Sequence, residues 1–251
     1  GGFGGGFYNG NGSPELINCV FVGNSVSATG YGNCGFGGAM YNYMGRPALT
    51  NCTLAGNRAD NSNWSRGGGI YSTGDQPSLT NCIVWDNTVS DGGRDPQISG
   101  TATVTYSCVQ GGWAGEGNIS EDPRLLSIIG KNLRIRKGSP CIDAGDNGAS
   151  GLVGITTDLD GHPRFVDDPL TVDSGKGTPP IVDMGAYEFI QGDLDGDGDV
   201  DVADFGVFQS CFNGPNRPYR QTGCDDGDFD ADGDVDRADF ARFQGCFNGP
   251  N

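Results

Sequence analysis

The stretch GGAMYNYMGRPALTNCTLAGN, from Gly37 to Asn57, decides how the first half of the chain folds. It has two close counterparts, GGGFYNGNGSPELINCVFVGN from Gly4 and GGGIYSTGDQPSLTNCIVWDN from Gly67. Leu16, Leu49 and Leu79 correspond, as do Asn18, Asn51 and Asn81, then Cys19, Cys52 and Cys82, then Asn24, Asn57 and Asn87, at spacings of 33 and 30 residues. A weaker fourth unit, ATVTYSCVQGG, sets Cys108 a further 26 residues on. Each unit holds short β-type runs divided by Gly, Asn and Pro turn signals, with no helical periodicity. Segments of unequal length, SVSATGYGNCGF and RADNSNWSRG, separate the units and read as loops on one edge of a constant frame.

Such a frame implies one coil per repeat, with like positions stacked about 4.8 Å apart. Asparagines at a turn take the left-handed conformation and hydrogen-bond to the Asn above. Leu and Cys fill a narrow interior, so the cysteines at 19, 52, 82 and 108 read as buried thiols rather than a metal or disulfide array. Cys34 and Cys141 carry no assignment. The pattern resembles the right-handed parallel β-helix repeat proteins of secreted bacterial type, over residues 1–125. One Leu in register per unit argues against a leucine-rich repeat, and the spacing excludes the nonapeptide calcium β-roll. The abrupt opening GGFGGGFYNG, without Met or signal peptide, reads as the start of a processed or truncated chain whose first coil is incomplete.

Beyond Cys108 the repeat fades, and Leu133 and Ile135 alternate with Arg134 and Arg136 in a predicted strand. The succession SPCIDAGD, DLDGHPRF and VDMGAYEF resembles the terminal region that follows many such β-helices, which implies a capping region of short strands over 126–190. The only histidine, His162, stands near Asp158, Asp160 and Arg164, and reads as part of an Asp-Gly, His-Pro turn. No nucleophile or second base stands at recognisable spacing from it. Whether Asp158 and Asp160 hold an ion stays open. In the repeats the charged residues (Glu15, Arg46, Arg58, Asp60, Arg66, Asp75, Asp86, Asp91, Arg94, Asp95) do not recur as acidic pairs, so no catalytic residue is identified. Tyr31, Tyr41, Tyr43, Trp64 and Trp113, read as loop aromatics, either stack on sugar rings or cover a glycine-rich backbone.

With 15 Lys and Arg against 32 Asp and Glu, the formal charge of -17 excludes a nucleic-acid partner. No apolar run of about 18 residues exists to span a membrane. The acidity concentrates in DLDGDGDVDVAD, residues 193–204, and DFDADGDVDRAD, residues 228–239, a pattern that points to cations. Both copies run on as F-x-x-F-Q-x-C-F-N-G-P-N, and 18 of 24 residues are identical, so loop and following segment are duplicated together. In the first loop Asp193, Asp195 and Asp197 supply side-chain oxygens, Asp199 a backbone carbonyl, Asp201 a ligand directly or through water, and Asp204 closes the sphere. Gly198 permits the turn, and Val200 makes a strand contact between loops. Asp228, Asp230, Asp232, Asp234, Asp236 and Asp239 repeat the set. All-oxygen ligation selects calcium, two ions in all. Phe205, Phe208 and Phe212, matched by Phe240, Phe243 and Phe247, fall on one stripe of a short helix that Asn-Gly-Pro then stops.

One helix per loop, with Asp at the closing position, departs from an ordinary EF-hand and resembles a type I dockerin over 191–251. The resemblance implies docking onto a cohesin-like domain. Its partner-facing positions carry over to Val202 and Ala203 in one copy and Arg237 and Ala238 in the other, without the familiar hydroxyl pair. Cys211 is expected to pair with Cys224 in an oxidising compartment, with Cys246 as the alternative partner. The fold class expected is therefore mainly β: a right-handed parallel β-helix with a β-rich cap, followed by a small α-helical calcium-binding domain. The function expected is that of an extracellular, secreted protein for attachment or assembly at the cell surface, through a cohesin-like partner or another copy of itself. Two alternatives stand: the C-terminal part of a polysaccharide-degrading lyase or hydrolase, and a filament subunit stacking through its open first coil.

Overall fold

The computed structural model describes residues 2–28, 34–60, 64–90, 94–219 and 223–247. Tyr31, Asp91 and the second Asn-Gly-Pro stop lie outside them. The chain divides into two compact units, residues 1–189 and 190–251.

The first unit is mainly β, built from stacked parallel strands. Phe7–Gly10, Met40–Tyr43, Ile70–Thr73 and Ile98–Ser99 form one sheet, Glu15–Ile17, Ala48–Thr50, Ser78–Thr80 and Thr103–Thr105 a second, and Val20–Val22, Thr53–Ala55, Ile83–Trp85 and Cys108–Val109 a third. Ser25–Ser27, Arg58–Asp60 and Thr88–Val89 add a shorter fourth sheet at the root of the variable segments. Successive strands of one repeat thus join different sheets, while like strands of successive repeats pair. The run L-x-N-C is split because its Asn bends the chain: Asn18, Asn51 and Asn81 have φ of 50°, 49° and 56°, which Asn tolerates better than other side chains. Glycine is required where coils touch, since a Cβ on Gly38 would lie 2.2 Å from the Gly68 carbonyl oxygen.

Leu49 pairs in register with Leu16 on one side and Leu79 on the other, and Leu54 with Phe21 and Val84. With Met40, Ile70, Cys52 and Cys82 they form one continuous interior. Each thiol donates to the carbonyl two residues back, half-buried Cys19 to Ile17 and buried Cys52 and Cys82 to Thr50 and Thr80, and no disulfide forms in this ladder. A second ladder, of amides, runs the length of the stack. Asn24 Nδ2 donates to Asn57 Oδ1, Asn57 to Asn87, Asn87 to Gln97 Oε1, and Gln97 to Gln110 Oε1, at 2.8–2.9 Å.

The fourth coil corrects the alignment by cysteine. Its strand partners are 25 residues on, Leu79 with Val104 and Ile83 with Cys108, so Tyr106 takes the left-handed corner at φ 46° and Ser107 stands beneath Cys82. Ser107 Oγ donates to Thr105 O as the thiols do, and accepts from Cys82 N. Cys108 falls on the opposite face, packed with Cys141 and Met184 in a second cluster. Matching cysteines misled by one residue, and in a strand one residue changes the face.

The aromatics are also placed differently from a set of loop aromatics. Tyr41 and Tyr43 lie on a strand, and Tyr41 is sandwiched between Tyr8 and Tyr71 with centroids 5.4 Å away on both sides. At 8% exposure it is buried within that stack. Trp113 packs against the interior cluster, whereas Tyr43 and Trp64 are exposed.

The stretch 116–119 meets the free edge of the fourth coil: Glu116 O accepts from Tyr106 N, Asn118 Oδ1 from Ser107 N, and Ile119 O from Val109 N. Beyond a short antiparallel hairpin, Leu125–Ser127 with Asn132–Ile135, the remaining segment is irregular apart from one 3-10 turn, Ser150–Leu152, and lacks the further short strands expected of a cap among its described residues. It runs beside the asparagine corners of three coils, where Asn18 donates to Thr157 O, Asn51 to Asp183 O and Asn81 to Asp146 O. Of these three corners only Asn81 donates to the Asn of the neighbouring coil, Asn51 Oδ1, at 3.2 Å.

The second unit holds two helices, α1 (Val202–Cys211) and α2 (Arg237–Phe243). Phe208 and Phe243 stack at 5.1 Å, and Phe205 and Phe240 meet at 5.7 Å, so the duplicated segments face each other across a shared interior with Val200, Phe229 and Val235. Phe212 lies just past α1 and is exposed, as is Phe247. Cys211 and Cys224 are joined by a disulfide, and Cys246 is half-buried and unbridged.

Candidate metal centres

Both aspartate loops are folded by their own carboxylates accepting backbone N–H groups. Asp193 takes Gly196 N and Gly198 N, and Asp228 takes Asp232 N and Gly233 N. The closing residues reach back across the loop: Asp204 Oδ1 accepts from Leu194 N and Asp195 N, as Asp239 Oδ1 does from Phe229 N and Asp230 N. Their other oxygens accept from Asp201 N and Asp236 N, while Asp201 and Asp236 cap the helices through Ala203 N and Ala238 N. Each loop is therefore closed and each helix started by the same pair of carboxylates.

This wrapping brings acidic groups together. Carboxylate oxygens of Asp193, Asp195 and Asp197 lie within 4.8 Å of one another, as do those of Asp199, Asp201 and Asp204, and those of Asp228, Asp230 and Asp239. Any of these groups could hold a metal ion. Asp199, to which the spacing assigns a backbone carbonyl, contributes its buried carboxylate to its group. Asp232, Asp234 and Asp236 stay on the second loop, with Asp232 Oδ1 accepting from Asp234 N. The residues suit a hard cation. Every donor is oxygen, burial and then Asp204 raise the Asp195 carboxyl, and burial and then Asp239 raise that of Asp230. Asp230 Oδ1 and Asp234 Oδ1 are buried without a hydrogen-bond partner, an arrangement that is costly unless something else satisfies them. Val202, Ala203, Arg237 and Ala238 are all exposed on the first turns of the helices.

Sequence reasoning missed a second constellation, in the first unit, where the three motifs of the irregular segment converge. Arg164 is fully buried, with Nε 3.1 Å from Glu188 Oε1 and Nη2 donating to Asp183 O and Gly185 O. Asp183 accepts from Asp143 N and Phe189 N, Glu188 from Asp183 N, and Asp158 from Glu188 N. Burial pushes the Asp183 carboxyl up to about 7 and raises that of Glu188 well above its ordinary value, with Asp183 adding repulsion and Arg164 opposing it. Asp158 Oδ1 also accepts from Asp160 N and His162 N, which makes the Asp-Gly, His-Pro stretch a tight turn. Arg164 stands alone in its motif, one buried cation shared by three acidic motifs. That inequality was the available signal.

No known protein family, curated protein or solved structure matches the chain.

Proposed function

We propose that the chain is an extracellular calcium-binding protein in which a right-handed parallel β-helix carries a dockerin-like module for attachment or assembly at the cell surface. One observation carries the reading. Two duplicated loop and helix units repeat the same closure, with Asp204 and Asp239 each accepting three backbone N–H groups while further carboxylates gather beside them. Each loop, residues 193–204 and 228–239, takes one calcium ion through its aspartates. Val202, Ala203, Arg237 and Ala238 then face the partner, a cohesin-like domain or a second copy of the chain. Beside them an open groove lined by Phe205, Phe208, Phe212 and Phe240 offers apolar surface.

The test is calcium titration of the full chain, with size measured by light scattering and imaging in calcium and in chelator. Binding of calcium at both loops, abolished by Asp193→Asn together with Asp228→Asn, is the result expected. Loops that ignore calcium would sink the reading. Polymers formed only with calcium favour self-assembly, and a calcium-loaded monomer favours a separate partner.

A further inference from the structure

The first unit carries an acidic group that the duplicated loops do not explain. Asp143 sits in SPCIDAGD at φ 50°, fully buried between Ile142 and Ala144 of one apolar cluster. Its backbone is fixed on both sides: its N–H donates to Asp183 Oδ1 and its carbonyl accepts from Ser174 N and Gly175 N. The side chain is less well served. Oδ2 accepts from Asp168 N at 3.2 Å, and Oδ1 is buried with no hydrogen-bond partner. The carboxylates of Asp167 and Asp173, both exposed, come over it from DDPLTVDSGK, so that one oxygen of each of the three lies within 4.8 Å of the others.

Among the described residues none of these three carboxylates is paired with Lys or Arg. The nearby cations are engaged elsewhere, Arg164 with Glu188 and Lys176 with Glu116 and Asp146. An irregular segment has thus folded its negative charges onto a buried carboxylate that keeps one oxygen without a hydrogen bond. Repulsion and desolvation both oppose that arrangement, and a divalent cation reverses both. We propose that Asp143, Asp167 and Asp173 bind a calcium ion, a third site distinct from the two loops of the second unit. Carboxylate oxygens alone, with water completing the shell, suit calcium better than a metal seeking nitrogen or sulfur. The ion staples the 167–176 segment to the interior of the first unit. Burial, with Asp167 and Asp173 adding to it, raises the Asp143 carboxyl to about 6 in the absence of a cation, in keeping with that crowding.

Hydrogen exchange on the full chain, read by mass spectrometry with and without added calcium, tests this. Calcium is expected to slow exchange of peptides covering 167–176 at least about tenfold, because the amides of Asp168, Ser174 and Gly175 are held by Asp143. Asp167→Asn with Asp173→Asn, both at exposed positions, removes that protection and leaves the peptides covering 193–204 and 228–239 responding as before. Unchanged exchange at 167–176 in wild-type protein overturns the proposal, as does protection that survives in the double variant. Should that variant fail to fold, by its tryptophan fluorescence, the wild-type comparison decides alone. The loop peptides report separately on the second unit, so failure of one reading is not failure of the other.

Discussion

At the scale of single residues, the first unit depends on a buried cation outnumbered by carboxylates. Replacing Arg164 with Met leaves Glu188 and Asp183 facing each other without compensation, and the cost expected is about 3–5 kcal/mol. All three tryptophans lie in this unit, so tryptophan fluorescence during urea unfolding reads the loss directly. Glu188 also gives a pH dependence. Its folded carboxyl is raised above 4.5 by burial, so the folded state holds the proton more tightly than the unfolded chain. Its contribution is therefore present in acid, below about 4.5, and is lost as pH rises through its raised folded value. Glu188→Gln is expected to flatten that decline in the unfolding midpoint, measured in chelator. In the second unit, Asp204→Ala removes the acceptor for three part-buried backbone N–H groups at once. A loss of at least about 2 kcal/mol of that unit's stability, followed through Tyr219, is expected even without calcium.

At the scale of the element, the coils were largely legible. Gly pairs, Leu and the L-x-N-C run recur, and the paired registers of Leu16, Leu49 and Leu79 follow them. What the repeat could not supply was its own ending. Once Tyr106 replaces the corner Asn and Ser107 the Cys, identity of letters no longer marks identity of place, and the strand register and the hydrogen bonds of Ser107 reveal the slip. Ser107→Ala leaves Cys82 N buried and unpaired, for a cost of about 1–2 kcal/mol in the tryptophan-reported transition. Ser107→Cys restores the thiol of the earlier coils and is expected to be tolerated. In the aspartate loops, the alternation of acids and glycines announced the wrapping, because each carboxylate meets an amide a few residues away. The Arg164 network was not legible, since it joins residues such as Asp143 and Asp183 that are distant in sequence and have no period to betray them.

At the scale of the whole molecule, the two units answer to different bonds. The first is held by stacked strands and contains no disulfide among its described residues; the second is small and closed by Cys211–Cys224. Reduction is expected to destabilise the second unit by about 3 kcal/mol, as opening a loop of that size does, and to leave the tryptophan-reported transition in place. Calorimetry with and without reductant checks both halves of that statement. The amide ladder has a consequence of another kind. From Asn24 to Gln110 every rung donates in the same direction, so the chain of amides has a head and a tail, and reversing one rung breaks the bonds on both sides of it. A side-chain amide hydrolysed with age to a carboxylate keeps its acceptor and loses its donor. Chemical ageing of Asn57 or Asn87 would therefore sever the ladder on one side only, breaking the link that the damaged residue donates and leaving the one it accepts.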